Sequence, residues 1–282
     1  MQRFNYHSHT YRCGHSEASY LDEDYVIDYI KMGFKKIAFT DHVPEKKEID
    51  KRSNMRMEYS EKDAYYKSIK KLKEKYADKI EIQSGFEVEY IPDNVENLLE
   101  LKAETDKIIL GQHFVYDDNN KDIRIIWNKQ PLEDKYLNRY ADYIEAAMSI
   151  NLPDIIAHPD LFMVAIDKFG EREKQISHKI CAAAEKYNIP LEINLNGIFS
   201  RIFLKNHKLI SLTKEEQIKA LENVVYPCRD FWEIASEYNI KVVYGLDTHY
   251  RGQIDLYHNL VDLAHIIIGE ETINKLNFIE LD

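Results

Sequence analysis

The sequence has few cysteines and no long apolar run. Its 282 residues include three cysteines, at positions 13, 181 and 228. An odd number of cysteines spaced so far apart does not resemble a disulfide framework, so we expect a protein of the reducing cytoplasm. No stretch approaches the roughly 20 apolar residues of a membrane span, and no apolar run with a cleavage site follows the first residues. We therefore expect neither a membrane anchor nor a signal peptide.

Positive charge is also in short supply. The formal net charge is -11, from 38 Lys and Arg against 49 Asp and Glu. Broad nucleic-acid binding requires a basic face, so this balance argues against a nucleic-acid partner. A cluster of divalent cations would offset part of the charge locally. No break in composition, internal repeat or low-complexity tract divides the chain, and we expect a single domain over residues 1–282.

Short apolar runs alternate with helical patterns along the chain. Seven runs resemble strands: Phe4–Tyr6, Lys36–Thr40, Ile80–Gly85, Lys107–Gly111, Pro153–Ala157, Ile189–Ile193 and Lys241–Gly245. Continuous Ile and Val runs bounded by helices indicate a parallel sheet that is buried on both faces. Seven or eight such units in a chain of this length predict an α/β fold of the (β/α) barrel type. Residues 123–127 resemble an extra strand or hairpin arm, and residues 198–229 are less regular.

Histidines are numerous, and most of them follow a predicted strand. Four of the eleven lie in polar or helix-like surroundings, whereas seven lie in or just after an apolar run. The active site of a (β/α) barrel lies at the carboxyl ends of its strands. Six of the seven predicted strands end in a potential metal ligand, and the seventh ends in Asn194 and Asn196, which are poor ligands. A single histidine is usually a surface or core residue, but this many at equivalent positions predict a metal site.

His7 and His9 illustrate the geometry. Side chains two residues apart in an extended chain point to the same side, so these two imidazoles can bind one metal ion. The potential ligands at the strand ends are His7, His9, Asp41, His42, Glu87, His113, His158, Asp247 and His249, and His15 lies in the first loop.

The ordered motifs resemble the PHP family of metal-dependent phosphoesterases. The resemblance rests on His7-Ser8-His9, Cys13-Gly14-His15, Thr40-Asp41-His42, Glu87, His113, Ala157-His158-Pro159 and Asp247-Thr248-His249, and covers almost the whole chain. It implies a distorted, TIM-like (β/α)7 barrel. The free-standing length, His15 and the large loops are most similar to the bacterial histidinol-phosphate phosphatases of this family. That similarity implies hydrolysis of L-histidinol phosphate in histidine biosynthesis.

The resemblance also implies a centre of three divalent metal ions. It assigns His7, His9 and Asp247 to the first ion, Glu87 as a bridge to the second, His113 and His158 to the second, and His15, His42 and His249 to the third. Some family members have Asp at the position of His15, and either side chain can ligate. Imidazole and carboxylate ligands suit Zn, Mn or Fe better than Mg or Ca.

Such a centre suits phosphoryl transfer. Metal ions about 3.5–4 Å apart bind both the attacking and the leaving oxygen, and a bridging water with its pKa lowered toward ~7 acts as the hydroxide nucleophile. The leaving alkoxide of a primary alcohol needs a proton, which we expect Asp247 or His249 to pass on. Asp247 is also expected to orient the nucleophile. Arg201 is the preferred phosphate-binding cation because a guanidinium matches phosphate geometry; Arg52 and Arg56 are weaker candidates.

Several residues beside the ligands have two interpretations. Asp41 and Asp160 flank His42 and His158, and each either orients its neighbouring imidazole or serves as a turn or N-cap residue. Glu89 lies on the strand face of Glu87, and we expect a solvated charge rather than a carboxylate that contacts the site. Cys13 is expected to pack within its loop.

Two other functions remain open from the sequence. The chain could be a phosphoesterase of the same family that acts on nucleotides, oligonucleotides or phosphotyrosine, or an inactive metal-binding module. The acidic charge disfavours a nuclease, and the complete set of nine ligands disfavours an inactive module. We therefore expect a small phosphate monoester as the partner molecule.

Overall fold

The fold was analysed in a computed structural model, which describes residues 2–46, 55–117, 123–126, 132–206 and 208–280. The strands are β1 (Phe4–Asn5), β2 (Lys36–His42), β3 (Glu81–Val88), β4 (Lys107–Leu110), β5 (Phe114–Tyr116), β6 (Ile123–Ile125), β7 (Ile155–Ile156), β8 (Leu191–Asn194), β9 (Leu204–Lys205), β10 (Lys208–Leu209), β11 (Lys241–Gly245) and β12 (Asn277–Phe278). All seven predicted strands are present, although several are shorter than their apolar runs.

Helices separate most of these strands. They are α1 (Asp22–Lys31), α2 (Lys62–Lys75), α3 (Val95–Glu104), α4 (Asp134–Ser149), α5 (Glu171–Tyr187), α6 (Asn196–Ile202), α7 (Lys214–Ala220), α8 (Arg229–Ala235), α9 (Tyr257–Ile268) and α10 (Glu270–Ile273). In α4 the residues that repeat at helical spacing, including Tyr136, Tyr140 and Ile144, are buried as that spacing predicts. None of the helices in the described part of the chain is long and apolar enough to cross a bilayer.

Eight strands form one sheet in the order β1-β2-β3-β4-β7-β8-β11-β12, and every neighbouring pair is parallel. An isolated parallel bridge between Ser8, just after β1, and Thr248, just after β11, joins the first strand of the sheet to the seventh and closes the barrel. Side chains reinforce this closure, because Gln2 contacts both the N–H and the carbonyl of Tyr244, and Asn5 accepts a hydrogen bond from Leu246 N. The predicted distorted (β/α)7 barrel is confirmed, with β12 as an additional strand beside the start of β11.

Alternating side chains of the barrel strands enter two different apolar clusters. Ile108 and Leu110 of β4 belong to the large cluster beneath the helices, whereas Ile109 belongs to a small cluster with Phe4 and Val243. Successive side chains of a strand point to opposite faces, so the small cluster fills the interior of the barrel. Both faces of the sheet are therefore apolar, which explains why its strands are continuous Ile and Val runs.

Three segments differ from the sequence expectations or extend them. Residues 198–229, expected to be irregular, contain most of α6, the β9–β10 hairpin and α7. The expected arm at residues 123–127 is β6, which pairs with β5, while Trp127 lies outside the described residues. The strand β12 was not predicted because its two residues are too short to form a recognisable pattern. A single domain over residues 1–282 stays a prediction.

We expect Gly85→Ala to destabilise the barrel by about 1–3 kcal/mol. A Cβ atom at Gly85 would lie 2.0 Å from the backbone oxygen of Lys107, its register partner in β4, so one of the two strands must move. Urea unfolding followed by circular dichroism measures the change. The control is Gly170→Ala, whose Cβ would meet only the flexible end of Glu173 at 3.3 Å and should cost less than about 1 kcal/mol. Equal stability of Gly85→Ala and the parent protein would contradict the close approach.

Candidate metal centre

Nine side chains converge at the carboxyl end of the barrel. They come from the ends of six strands and from the first loop, and they are the predicted set His7, His9, His15, His42, Glu87, His113, His158, Asp247 and His249. Eight of them are buried, and His15 is the exposed member. The structure thus brings together every residue that the sequence nominated as a metal ligand.

The first group surrounds the start and the end of the chain. His7 Nε2 lies 3.2 Å from His9 Nε2, and Asp247 Oδ1 lies 3.4 Å from the former and 3.1 Å from the latter. Glu87 is the fourth member, with oxygens 3.6 Å from His7 Nε2 and 3.4 Å from His9 Nε2. Ligand atoms around a tetrahedral ion with bonds of about 2.1 Å are about 3.4 Å apart, so these separations fit a bound divalent ion.

Glu87 is the centre of the second group. Its Oε1 lies 2.9 Å from His158 Nε2 and 3.5 Å from His113 Nε2, while its Oε2 lies 3.0 Å from His42 Nδ1. The carboxylate fits only because Gly111 has no side chain, since a Cβ there would lie 1.8 Å from Glu87 Oε1. One carboxylate therefore faces imidazoles from several strands, as a bridging ligand must.

The third group lies at the mouth of the site. His249 Nε2 and His15 Nε2 are 2.9 Å apart. Each ring uses its Nδ1 to donate to a backbone carbonyl, that of Asp247 for His249 and that of Cys13 for His15. Both Nε2 atoms are then left with a lone pair, so they cannot bond to each other but can share a cation. His42 stands beside them, with its ring centroid 5.2 Å from that of His15.

Two buried carboxylate oxygens of the site without hydrogen-bond partners also fit bound cations. Glu87 Oε2 and Asp247 Oδ1 are buried and have no hydrogen-bond partner among the described residues. Unsatisfied buried carboxylate oxygens are costly, by about 1–3 kcal/mol or more each. Metal ions between these oxygens and the imidazole nitrogens would satisfy them.

Electrostatics keeps the two carboxylates in the ionised form that binds metal. Burial alone would raise the pKa of Glu87, but the imidazoles of His113, His42 and His7 hold this pKa well below its usual value. The pKa of Asp247 is likewise well below its usual value, because His7 and His249 outweigh its burial. Burial lowers the pKa of His42 well below its usual value. Ionised carboxylates and neutral imidazoles are the forms that ligate. Burial lowers the pKa values of His7 and His9, but Asp247 and other carboxylates raise both well above the usual value, so a bound cation would replace protons on these two rings.

Carboxylates behind the imidazoles orient several of the rings. One of these carboxylates, that of Glu192, was not predicted from the sequence. Glu192, buried within β8, accepts from His7 Nδ1 with its two oxygens 2.9 and 3.1 Å away. Its signal in the sequence was an acidic residue inside an apolar strand. Asp41 does not orient its neighbour His42; its Oδ1 lies 3.4 Å from His9 Nδ1 instead. Of the two interpretations left open for Asp41, orientation of the His42 ring is therefore excluded.

The expectation for Glu89 is wrong, and one of the two interpretations of Asp160 is excluded. Glu89 is not a solvated charge: it is 1% exposed, accepts from His113 Nδ1 at 3.1 Å and lies 3.3 Å from Arg56 Nη2. Asp160 does not orient His158, because its Oδ2 accepts from Cys228 N and Trp232 Nε1. The pairing with Glu89 buries Arg56 and makes it unsuited to bind phosphate. Arg52 lies outside the described residues.

The two asparagines that were considered poor ligands hold Asp247. Asn194 Nδ2 and Asn196 Nδ2 each donate to Asp247 Oδ2 at 3.2 Å. Both amides contact the same oxygen, so Oδ1 is the atom that faces His7 and His9. Cys13 packs in its loop as expected, with Sγ 2.9 Å from Ser16 Oγ, and its sulfur also lies close to the nitrogens of His15 and His249.

A cavity of about 540 Å³ opens onto eight of the nine candidates, all except His7, and onto Arg201. Its outer wall includes Leu161, Val164, Leu204, Tyr226 and Tyr250, so much of this wall is apolar or aromatic. Arg201 lies at the end of α6 and forms no ion pair with the described residues. The cavity therefore combines a ligand-rich floor, an unpaired cation and an apolar wall.

Proteins of known sequence and structure resemble the chain over most of its length. A probable histidinol-phosphatase of Schizosaccharomyces pombe is 25% identical over 271 residues, covering 90% of this chain and 83% of that protein. The histidinol-phosphatase of Bacillus subtilis is 24% identical over 222 residues, covering 70% and 82%.

The crystal structure of histidinol phosphate phosphatase from Lactococcus lactis, in complex with Zn, L-histidinol and phosphate, has the same fold. Its TM-score is 0.60 at 17% identity, with 93% of this chain and 94% of that chain covered. The model of the PHP domain matches residues 5–196, which is more than half of the chain. The chain therefore belongs to the PHP domain family.

Proposed function

We propose that the protein is a metal-dependent phosphomonoesterase that hydrolyses L-histidinol phosphate to L-histidinol and phosphate. The observation that carries this proposal is the convergence of nine candidate metal ligands, eight of which line a cavity that also contains Arg201. The relatives support the choice of substrate, because two of them are named histidinol-phosphatases and the Lactococcus lactis enzyme was crystallised with Zn, L-histidinol and phosphate.

Three divalent ions are proposed, with Zn, Mn or Fe as the candidates. His7, His9 and Asp247 would hold the first ion, and Glu87 would link it to a second ion held by His113 and His158. The third would be held by His15, His42 and His249. When bound, the ions would supply an activated water and would neutralise charge on the phosphate oxygens.

Asp247 is the residue best situated to orient the attacking water and accept its proton. Its low pKa keeps the carboxylate ionised, and the amides of Asn194 and Asn196 fix Oδ2, which leaves Oδ1 to face the site. His249 is less suited to move this proton, because its Nδ1 donates to a backbone carbonyl and the one lone pair of its Nε2 is needed for a metal ion, whereas Asp247 Oδ1 has a second lone pair. We therefore assign the proton to Asp247, which passes it to the leaving alkoxide.

Arg201 is proposed to bind the phosphate. Its guanidinium lines the cavity, and no carboxylate of the described residues competes for it. A guanidinium can donate two parallel hydrogen bonds to phosphate oxygens, which orients the group as well as attracting it.

Phosphate release across a substrate panel tests the function. We expect the metal-loaded protein to hydrolyse histidinol phosphate with a higher kcat/KM than mononucleotides, phosphotyrosine or an aryl phosphate. A chelator should abolish turnover, and Zn²⁺ or Mn²⁺ should restore it. Activity confined to mononucleotides would overturn histidinol phosphate as the proposed substrate. Activity that survives complete removal of metal would overturn the metal-dependent mechanism. A protein that binds metal but hydrolyses none of the panel would be an inactive module.

Asp247→Asn should lower kcat about 10²–10⁴-fold at pH 7 if the carboxylate handles the proton. The amide keeps the shape of the side chain but cannot accept a proton. Metal content must be measured in parallel by elemental analysis, because only a variant with unchanged metal content isolates the proton-transfer role. Glu74→Gln, on the exposed face of α2, is the control and should leave kcat unchanged. Full turnover by metal-loaded Asp247→Asn would refute the assignment.

Arg201→Lys should lower kcat/KM for histidinol phosphate about tenfold, because lysine keeps the charge but loses the two-pronged donor. Steady-state kinetics measures the effect, and inorganic phosphate should become a weaker competitive inhibitor in the same proportion. The matched control is Arg229→Lys in α8, where the guanidinium contacts only the backbone carbonyls of Ile266 and Ile267. Equal kinetics for Arg201→Lys and the parent protein would remove Arg201 from the phosphate site.

A further inference from the structure

The barrel closes where Ser8, after β1, pairs with Thr248, after β11, and we call this junction the seam. Two pairs of candidate ligands meet there. His7 and His9 come from the strand on one side of the seam, and Asp247 and His249 come from the strand on the other. The backbones join there through a single bridge, in which His9 N donates to Thr248 O at 3.1 Å and Thr248 N approaches His7 O at 3.4 Å. By contrast, β2 and β3 pair through seven registered positions.

The seam cannot extend as a regular ladder at the ligands. Asp247 has φ of 48°, in the left-handed region that a β-strand does not use. Backbone pairing alone therefore gives little control over the separation of the two ligand pairs. Metal sites require ligand atoms within about 0.2 Å of their preferred distances. A further constraint on this separation is needed.

Tyr29 of α1 supplies contacts to both sides of the seam. Its hydroxyl lies 2.7 Å from Ser8 Oγ, 2.8 Å from Thr248 Oγ1 and 2.7 Å from Asn5 Nδ2, which donates to it. Asn5 also donates to His7 O and accepts from Leu246 N. All four of these side chains are at most 1% exposed. One phenol oxygen thus joins β1, α1 and the end of β11 in a dry polar cluster.

The positions of Ser8 and Thr248 connect this cluster to the candidate metal centre. Each is the middle residue of a ligand pair, Ser8 between His7 and His9, and Thr248 between Asp247 and His249. Side chains on an extended chain alternate, so Ser8 points away from His7 and His9. On the other side, where Asp247 departs from the extended conformation, Thr248 Oγ1 reaches the same Tyr29 hydroxyl at 2.8 Å. The ligands face the cavity, while their two spacer residues meet behind them on one hydroxyl.

We propose that Tyr29 is a positioning residue of the metal centre, which sets the distance between the His7–His9 pair and the Asp247–His249 pair through its hydrogen bonds to Ser8 and Thr248. The inference rests on the proposed metal centre. It assigns no contact with metal or substrate to Tyr29. The hydroxyl acts through the two spacer residues, and its loss should loosen the ligand pairs relative to each other.

A purely structural role for this hydroxyl is the competing explanation, and Tyr65 provides a matched control. Tyr65 is also fully buried, and its hydroxyl also joins two strands, because it donates to Phe39 O and Gly85 O at 2.9 Å each. Those strands, β2 and β3, are already joined by a full ladder. Tyr65→Phe should therefore cost stability without changing the separation of ligands.

The experiment compares Tyr29→Phe with Tyr65→Phe in the full-length protein. The melting temperature of each chelator-treated variant measures the structural cost, and Zn²⁺ affinity from competition with a chromophoric chelator measures the positioning role. We expect both variants to melt at similarly lowered temperatures. Zn²⁺ affinity should fall about 10–100-fold for Tyr29→Phe, as for loss of a residue that orients a metal ligand, and less than about twofold for Tyr65→Phe.

The outcomes separate this inference from the proposed function. A parent protein that binds no Zn²⁺ would overturn the metal centre itself. If Tyr29→Phe binds Zn²⁺ as tightly as the parent protein, the positioning role is overturned and the metal centre stands. Equal losses of affinity in the two variants would also overturn it, because a buried hydroxyl elsewhere would then have the same effect.

Thr248 decides the question if Tyr29→Phe does not fold. Thr248→Ser keeps the hydroxyl that contacts Tyr29, whereas Thr248→Val keeps the shape and removes it. We expect Thr248→Val to bind Zn²⁺ at least tenfold more weakly than Thr248→Ser. Equal Zn²⁺ affinities for these two variants would overturn the inference.

Discussion

The arrangement of the site depends on a buried negative charge. Glu87 is enclosed at the centre of the barrel, where an isolated carboxylate would be strongly destabilising. Imidazoles from β1, β2, β4 and β7 surround it, and their attraction keeps it ionised despite its burial. A parallel barrel can collect these groups because the carboxyl ends of all its strands meet on one face. The fold brings the imidazoles together, and the buried carboxylate of Glu87 needs them nearby to stay ionised.

A shell of hydrogen bonds around the ligands narrows the freedom of each ring. Glu192 fixes His7, Glu89 fixes His113, and backbone carbonyls fix His15 and His249. Each contact uses Nδ1, so Nε2 is the nitrogen that points into the site. The orientation is thus set by the protein chain, and the cations that we propose would enter a prearranged set of lone pairs.

Local patterns revealed the strands and the ligands, because both leave marks in neighbouring residues. Ile and Val runs predicted the sheet, and a histidine or acid after six of the seven runs predicted the floor of the cavity. The groups behind the ligands could not be read in this way. Glu192 meets His7 from 185 residues away, and Tyr29 meets Thr248 from 219 residues away. The strand register that brings them together depends on the whole sheet, which explains why the approach of Asp41 to His9 was not predicted and Glu89 was taken for a solvated charge.

The closing seam gives the proposed first metal ion a second consequence. His7 and Asp247 would share this ion although about 240 residues separate them in the sequence. A bond between such distant residues acts as a cross-link, and in the chain-entropy treatment a closed loop of this length removes about 5 kcal/mol of conformational freedom from the unfolded chain. The ion would then stabilise the barrel as a disulfide stabilises a secreted domain, in a protein whose three cysteines are all free. A centre used for chemistry would at the same time be the clasp that holds the two ends of the chain together.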